Sequence, residues 1–431
     1  MATSNKESVK ILFTILFILY VVSFFHFILY PAGLWAIGWK LELPFIAIQI
    51  FLLVSTHIYK KILFRKLFKW YFILIVINMF TCLFFRKQGL LVSLYAWTPL
   101  LLIFYYPFFK YLRISTRGWE KVLFSLFIII LIGYTLQNIF LNTPLFVLNS
   151  TEEQLENETR VRIWSNNILT LGGFYCFNKY LCGKKLYLIL FLWTAVLIFL
   201  QGARTGIAGF ALVSVIMYFK IRGLSWKVIP AAGLAAILLF FFARQQVFQN
   251  KVDEIVTRNE TANMANDTYP RVTCFNYYMN EHFKSNLEYF WGSGKTVLIE
   301  GDTPLSKAPS EYSKLVSTNA ALYHWYTADL GLLGLSWEAG IPFIVIFYLL
   351  FIAIIRKKVP QEYYYIGMWE LFLLIVSTLL SESIYCQCNM VFHALALVIL
   401  DRVAISGTQK FTKTVLRTTN NNENSNIKPA I

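Results

Sequence analysis

The feature that most constrains this chain is the repetition of apolar runs that are long enough to cross a membrane. ILFTILFILYVVSFFHFILY, at residues 11–30, is the first of them. About 20 apolar residues in a helix span the roughly 30 Å hydrocarbon core of a bilayer. Only 14% of the 431 residues are charged, whereas soluble domains carry about a quarter. The runs therefore predict an all-α polytopic membrane protein and exclude an ordinary soluble domain.

Counting such runs predicts about twelve transmembrane helices. They fall near residues 11–30, 42–58, 69–85, 89–108, 121–141, 163–181, 186–202, 204–220, 227–243, 329–355, 363–382 and 387–404. We divide the chain accordingly into N-terminal helices (1–160), central helices (161–243), a long external loop (244–326), C-terminal helices (327–405) and a basic, partly disordered tail (406–431).

The placement of the charges predicts the orientation. Lys and Arg cluster in short segments between the runs, such as KKILFRKLFK (60–69) and KYLRISTRGWEK (110–121), while acidic residues concentrate on the other side, notably in STEEQLENETR (150–160). Because basic loops stay in the cytoplasm, both termini are predicted to be cytoplasmic. The net charge of +16 is thereby a topology signal, and no nucleic-acid partner is expected.

One external segment breaks the regular spacing of the helices. Residues 244 to about 325 form a loop of a length that is usually functional or disordered. TYPRVTCFNYYMNEHF and LEYFWGSG, within it, carry apolar and aromatic residues near helical spacing. They predict short amphipathic helices that lie on the membrane surface or cover a cavity.

WGSGKT, at residues 291–296, has the ending of a nucleotide-binding P-loop. Such a loop requires GxxxxGK[ST], and Tyr289 occupies the place of the first glycine. The segment also faces away from cytoplasmic ATP in the predicted topology. We interpret Gly292 and Gly294 as the end of an amphipathic helix, and Lys295 as either a solvated side chain or a contact to the phosphate of a lipid carrier.

QGARTGIAGF, at residues 201–210, places Arg204 in a tight turn at the external end of two predicted spans. An arginine at such an end either snorkels to the interface or serves a site. The small residues around it restrict the guanidinium, whose planar fork suits a phosphate.

The small-residue-Arg-Thr-Gly turn resembles a motif of the O-antigen polymerase and O-antigen ligase superfamily. Its members are bacterial enzymes that transfer glycans from a polyprenyl pyrophosphate carrier at the outer face of the inner membrane. The resemblance covers about residues 160 to 400: Arg271 precedes an aromatic stretch and the Gly292/Gly294 turn, TADLGLLGLSWEAGIPFIVIFY follows at 327–348, and LLSESIY supplies Glu382. It implies a multi-pass protein of the bacterial inner membrane whose active site faces the periplasm.

The chain departs from the ligase branch of that superfamily. Ligases carry a His-Asn pair about eleven residues before the glycine, where this chain has Ala320; its nearest histidine is His324. Polymerases often carry an aspartate in this setting, which Asp329 supplies. The resemblance therefore implies polymerisation of polyprenyl-pyrophosphate-linked repeat units into O-antigen, capsular or exopolysaccharide. A ligase that transfers the finished glycan to an acceptor and a lipid-linked oligosaccharide flippase remain alternatives.

Glycan transfer from a lipid pyrophosphate needs cations for the leaving diphosphate and a base for the attacking hydroxyl. We expect arginines to replace a metal ion, and neither a metal nor a cofactor is expected. The candidate pyrophosphate-binding residues are Arg204 and Arg271, with Arg160, Arg162, Arg244 and Lys295 in reserve, and the candidate catalytic residues are His324, Asp329 and Glu382. For these residues the alternatives are interface anchors for the reserve arginines, an aromatic belt position for His324, a helix cap for Asp329 and an orienting role for Glu382. The implied partners are the lipid-linked donor and acceptor, membrane lipid, a chain-length regulator and a flippase.

Overall fold

The computed structural model of the chain describes residues 2–22, 62–139, 166–200, 204–223, 270–296, 310–323, 325–379 and 390–404. Within these residues every regular element is helical and no strand occurs. The predicted all-α class is confirmed for this part of the chain. The predicted spans at 42–58 and 227–243 and the tail at 406–431 lie outside the described residues.

Between residues 65 and 222 the helices follow the predicted apolar runs closely, whereas the helices between residues 270 and 339 are shorter. In chain order they are α1 Ala2–Val21, α2 Arg65–Arg86, α3 Leu90–Tyr111, α4 Thr116–Ile139, α5 Asn166–Leu181, α6 Tyr187–Leu200, α7 Arg204–Arg222, α8 Pro270–Tyr277, α9 Asn286–Trp291, α10 Glu311–Tyr323, α11 Leu332–Ala339, α12 Ile341–Ile355, α13 Tyr364–Leu379 and α14 over 390–404. Inside α3, a 3-10 turn at Leu102–Phe104 follows Pro99, which cannot donate a backbone hydrogen bond.

Several helices have the length and composition of membrane spans. Among the described residues, α2, α3, α4 and Thr205–Arg222 of α7 are long and apolar enough to cross a bilayer, and α6 and α12 are shorter apolar helices. These helices support a membrane protein. The count of twelve spans and the inward orientation of the termini stay predictions.

The centre of the bundle is occupied by α14. Residues 390–401 are all buried, and the Nδ1 atom of His393 lies 3.0 Å from the Oε1 atom of Glu370 on α13. α13 in turn packs against α5, α7 and α12. Ionisable groups inside a membrane bundle are costly unless they pair, so this buried pair ties α13 to the central helix.

Polar contacts sort the helix ends into two groups. At one end, Lys179 on α5 pairs with Glu120 on α4 at 2.6 Å, and Lys110 on α3 pairs with Asp401 on α14. At the other end, α2 and the turn after it contact the loop segment 282–296. Each of these contacts joins helix ends that the sequence predicts to lie on the same side of the membrane, and the orientation itself stays a prediction.

The predicted single span over 329–355 is wrong, because the structure divides it. A 3-10 turn at Thr327–Leu330 is followed by α11 and then, after Gly340, by α12. Gly340 takes a φ of 87°, which no right-handed helix contains. Hydropathy is high on both sides of this glycine, and for that reason the run looked continuous.

Candidate functional site

The predicted site residues divide into those that the structure describes and those that it does not. Arg271 is exposed on α8, Lys295 follows α9, Asp329 lies in the turn Thr327–Leu330, and Arg204 is the first residue of α7. Five lie outside the described residues: Arg160, Arg162, Arg244, His324 and Glu382.

The WGSGKT segment begins at the end of α9 and then runs beside α11. Ser285 caps α9 by accepting a hydrogen bond from the Glu288 N–H at 3.2 Å, and α9 ends at Gly292, whose φ is 84°. This confirms the predicted role of the glycine. The next two amides are used inside the protein: the Ser293 N–H donates to the carbonyl of Trp337 at 2.8 Å, and the Gly294 N–H donates to that of Glu338 at 3.0 Å. Amides that already donate to carbonyls cannot cradle a nucleotide phosphate.

Gly292 and Gly340 allow two backbones to touch. A Cβ atom on Gly292 would lie 2.5 Å from the Gly340 nitrogen, and a Cβ atom on Gly340 would lie 2.4 Å from the carbonyl carbon and oxygen of Trp291. Real Cβ contacts are longer, so neither position has room for a side chain. The break between α11 and α12 is therefore the place where the loop docks on the bundle.

Two amide side chains of the first half of the chain hold the same segment. The Asn78 amide, buried on α2, donates to the carbonyls of Trp291 at 2.9 Å and Glu338 at 2.8 Å. The Gln88 amide, in the turn between α2 and α3, donates to the carbonyl of Lys295 at 2.9 Å, and its Oε1 accepts from Ser313 at 3.3 Å. Sequence reasoning assigned these helices no role beyond topology. Asn78 is a polar residue inside an otherwise apolar run, and this sequence feature could have predicted a contact there.

Arg86, at the end of α2, forms a buried ion pair with the loop. Its Nε atom lies 2.5 Å from the Oε1 atom of Glu288, and the two side chains are 7% and 0% exposed. The same guanidinium donates to the carbonyl of His282 and lies 5.1 Å from the ring centroid of Tyr312. A buried pair of this kind costs several kcal/mol when one partner is removed, so Arg86 and Glu288 fix the loop on the bundle. Neither residue was among the predicted site residues.

His282 is buried in the π-helical turn Tyr278–His282. Within the described part of the chain, both ring nitrogens lack a hydrogen-bond partner. The ring packs 4.2 Å from that of Tyr278 and 6.1 Å from that of Tyr312, measured between centroids. Burial, reinforced by the Arg86 charge, lowers the pKa of His282 from 6.5 to about 2. π-turns inside helices occur frequently at functional sites, and this one holds a neutral imidazole.

We expect the π-helical turn Tyr278–His282 to open more often as the pH falls below 6.5. Because burial lowers the pKa of His282 from 6.5 to about 2, its contribution to docking is complete above pH 6.5 and is lost progressively toward pH 2. Each unit below 6.5 costs about 1.4 kcal/mol, or about tenfold in the population of open turns. Hydrogen exchange of residues 278–283, corrected for its intrinsic pH dependence, measures this slope. A slope that persists in a His282→Phe variant would contradict the assignment.

Lys295 is mostly covered and lies beside Glu338, so the interpretation of a solvated lysine is wrong. Its Nζ atom lies 3.7 Å from the Oε2 atom of Glu338, and the two side chains are 12% and 16% exposed. Burial lowers the pKa of Lys295 to about 8, while the Glu338 carboxylate acts in the opposite direction. The Oε1 atom of Glu338 accepts a hydrogen bond from Thr327. The pair therefore joins the WGSGKT segment to the turn that carries Asp329.

The helix of Arg271 packs on that same turn. α8 contacts the turn Thr327–Leu330, and the indole of Trp325 donates to the Thr273 hydroxyl at 2.8 Å. The π-turn after α8 is anchored on α11, since the rings of Tyr278 and Trp337 stack with their centroids 4.9 Å apart. Arg271, Lys295 and Asp329 thus belong to one packed unit, which we call the loop unit: α8, the π-turn, α9, residues 292–296, the turn Thr327–Leu330 and α11.

The loop unit contains part of the sequence that carries the resemblance: Arg271 with its aromatic stretch, the Gly292/Gly294 turn and the first half of TADLGLLGLSWEAGIPFIVIFY. No protein-family model matches this chain, and neither does any curated protein. What the loop unit can do therefore follows from its own side chains.

Arg204 is not part of the loop unit. It begins α7, which packs against α13 and α5, and α13 also contacts α11. Gly209, near the start of α7, lies against Phe372 and Val376 of α13. The start of α7 therefore lies beside the end of α13 that leads toward Glu382, on the side of the bundle where the loop unit docks.

The loop unit combines an exposed cation with a carboxylate that retains accepting capacity. Arg271 is exposed on α8, where its planar fork can turn to meet a phosphate. Among the described residues, the Oε2 atom of Glu338 has no hydrogen-bond partner, although Lys295 lies beside it. Fixed cations stabilise developing negative charge, and a positioned carboxylate can accept a proton, so the unit holds groups that can do both.

Proposed function

We propose that this chain polymerises polyprenyl-pyrophosphate-linked oligosaccharide repeat units at the periplasmic face of a bacterial inner membrane. The observation that carries the proposal is the docking of the external loop. Arg271 and Asp329 lie on elements in direct contact, and the Arg86–Glu288 pair links the loop unit to the end of the bundle. A loop that only connected two spans would not need so many contacts to hold it. Here it is held by the Arg86–Glu288 ion pair, by the side-chain amides of Asn78 and Gln88, and by the close backbone contact between Gly292 and Gly340.

In the proposed reaction, the hydroxyl oxygen of the acceptor sugar forms a bond to the anomeric carbon of the donor. The bond from that carbon to the pyrophosphate oxygen breaks, and polyprenyl pyrophosphate leaves with the electron pair. Arg271 and Arg204 stabilise the charge that develops on the diphosphate. The hydroxyl proton passes to a base, for which Asp329, His324 and Glu382 are the candidates and Glu338 is added by its position beside Lys295.

Lys295 fits this proposal as a secondary phosphate contact. It already has Glu338 at 3.7 Å, so a phosphate would have to share the lysine with that carboxylate or replace it. Two anions around one lysine repel each other, which is unfavourable in a buried setting. We therefore assign the first contact with pyrophosphate to the exposed Arg271 rather than to Lys295.

The proposed function is tested by reconstitution. The purified chain is placed in liposomes with polyprenyl-pyrophosphate-linked single repeat units as the only substrate. We expect a ladder of longer lipid-linked glycans, resolved by gel electrophoresis and mass spectrometry. A finished glycan that moves only to an added acceptor would identify the ligase, and movement of the lipid-linked unit between leaflets without lengthening would identify the flippase.

A further inference from the structure

A basic cavity lies at the end of the bundle opposite to the loop unit. Its volume is about 470 Å³, and it forms where the start of α1 meets the connection between α3 and α4 and the end of α14. It is lined by Lys6, Glu7, Lys10, Arg113, Ile114, Ser115, Thr116 and Arg402. Four of these side chains are cationic and one is acidic, so the cavity has a positive charge.

The carboxylate among these lining residues is already engaged. The Oε1 atom of Glu7 accepts a hydrogen bond from the Ser115 N–H at 2.9 Å, and the hydrogen bonds from Ser115 lower the pKa of Glu7. The cations, in contrast, are held partly by neutral carbonyls. Lys10 donates to the carbonyl of Leu112 at 3.0 Å, and Arg402 donates to that of Lys110 at 3.2 Å. A carbonyl orients a cation without cancelling its charge, so Lys10 retains the capacity to bind an anion.

An apolar stripe on α1 adjoins the cavity. Val9, Leu12, Phe13 and Leu16 are each more than half exposed, at 67%, 59%, 52% and 52%. They recur at the three- and four-residue spacing of one helix face, and Lys6 and Lys10, on the first turns of the same helix, line the cavity. Cations at one end and a lipid-exposed apolar face beside them match the two parts of a phospholipid.

We propose that the cavity binds the phosphate of an anionic phospholipid, whose acyl chains lie along Val9, Phe13 and Leu16. Charge complementarity selects an anionic over a zwitterionic headgroup, because the lining carries an excess of cations. The apolar stripe selects a lipid over free phosphate, because only a lipid covers it. The site holds α1 against the α3–α4 connection and is independent of the glycan chemistry at the other end.

The test compares bound lipid in two variants with the same change in net charge. The full chain is released from nanodiscs that contain equal parts of phosphatidylcholine and phosphatidylglycerol, and its bound lipids are counted by native mass spectrometry. In the double variant Lys6→Gln/Lys10→Gln, affinity for phosphatidylglycerol is expected to fall roughly 30-fold, since each basic side chain at a membrane surface contributes several-fold. The matched control is Lys284→Gln/Lys314→Gln, whose lysines lie in the external loop and whose binding is expected to be unchanged.

Three results would overturn the proposal. One is equal retention of phosphatidylcholine and phosphatidylglycerol by the unaltered chain, and another is an equal loss in the two double variants. The third separates the sources of phosphate: a Phe13→Ser/Leu16→Ser variant keeps full phosphatidylglycerol binding and inorganic phosphate displaces the lipid, which would make the cavity a site for free phosphate. Retained helicity by circular dichroism confirms that each variant is folded, so a loss of binding is not a loss of structure.

Discussion

Replacing Arg271 with alanine is expected to lower the rate of glycan chain extension by about 100- to 1000-fold, the range seen when one preorganised donor to a developing anion is removed. Arg271 is exposed on α8, and substitutions at exposed positions usually change stability by no more than about 0.5 kcal/mol. The variant should therefore insert and accumulate normally. The measurement is the length distribution of the glycan in cells whose only copy of the chain carries the substitution, together with the membrane level of the protein.

Controls separate the role of this arginine from a general loss of charge. Arg356→Ala removes an arginine at the end of α12, at the opposite end of the bundle, and is expected to leave chain length unchanged. Arg271→Lys keeps the charge but loses the two-pronged geometry and is expected to be intermediate. Arg204→Ala is expected to match Arg271→Ala. Near-normal glycan lengths in both alanine variants would refute the proposed mechanism.

The structure changes which half of the chain positions the candidate site. The site was predicted from motifs after residue 160, whereas Asn78, Arg86 and Gln88 of the first half hold the loop unit in place. These contacts span more than 200 residues of sequence. A hydropathy pattern records which segments are apolar, but it carries no information about which distant carbonyl an amide will meet.

What could be predicted from sequence was whatever depends on local properties. The apolar runs predicted α2, α3 and α4 well, because span length follows from bilayer thickness. The end of α9 at Gly292 was also predicted, because a glycine readily adopts the positive φ that ends a helix. The burial of Lys295 was not, since a lysine in a polar loop is exposed unless a partner such as Glu338 is brought to it by the fold. Glu338 lies 43 residues further along the chain.

The break at Gly340 is a second feature that local sequence properties did not predict. Hydropathy treated residues 329–355 as one span, although Gly331, Gly334 and Gly340 interrupt it. Glycine within an apolar run is common in membrane helices, so its presence alone does not predict a break. The break becomes necessary only when the Trp291 backbone is placed against Gly340, and that neighbour comes from the loop that the sequence predicts to be external.

Gly340→Ala is expected to detach the WGSGKT segment from the bundle. The new Cβ atom would lie 2.4 Å from the carbonyl carbon and oxygen of Trp291, and the φ of 87° is unfavourable for alanine. Backbone strain of this kind costs about 1–3 kcal/mol, and the contact with Trp291 adds to it because backbone cannot rotate away as a side chain can. Hydrogen exchange of the Ser293 and Gly294 amides, which donate to the carbonyls of Trp337 and Glu338, should rise by at least about 100-fold.

Two matched glycine variants distinguish the close contact from the backbone conformation. At Gly183, whose φ is 100°, an added Cβ atom would have no described heavy atom within 4 Å, so alanine introduces strain without a clash. At Gly89, alanine introduces neither, because the φ is −62° and the surrounding space is open. We expect exchange at Ser293 and Gly294 to be unchanged in both. Equal protection of these amides in Gly340→Ala and Gly89→Ala would mean that the loop does not dock through this glycine contact. If docking positions Arg271 for the pyrophosphate, Gly340→Ala should also shorten the glycan as severely as Arg271→Ala, although it removes no charged group.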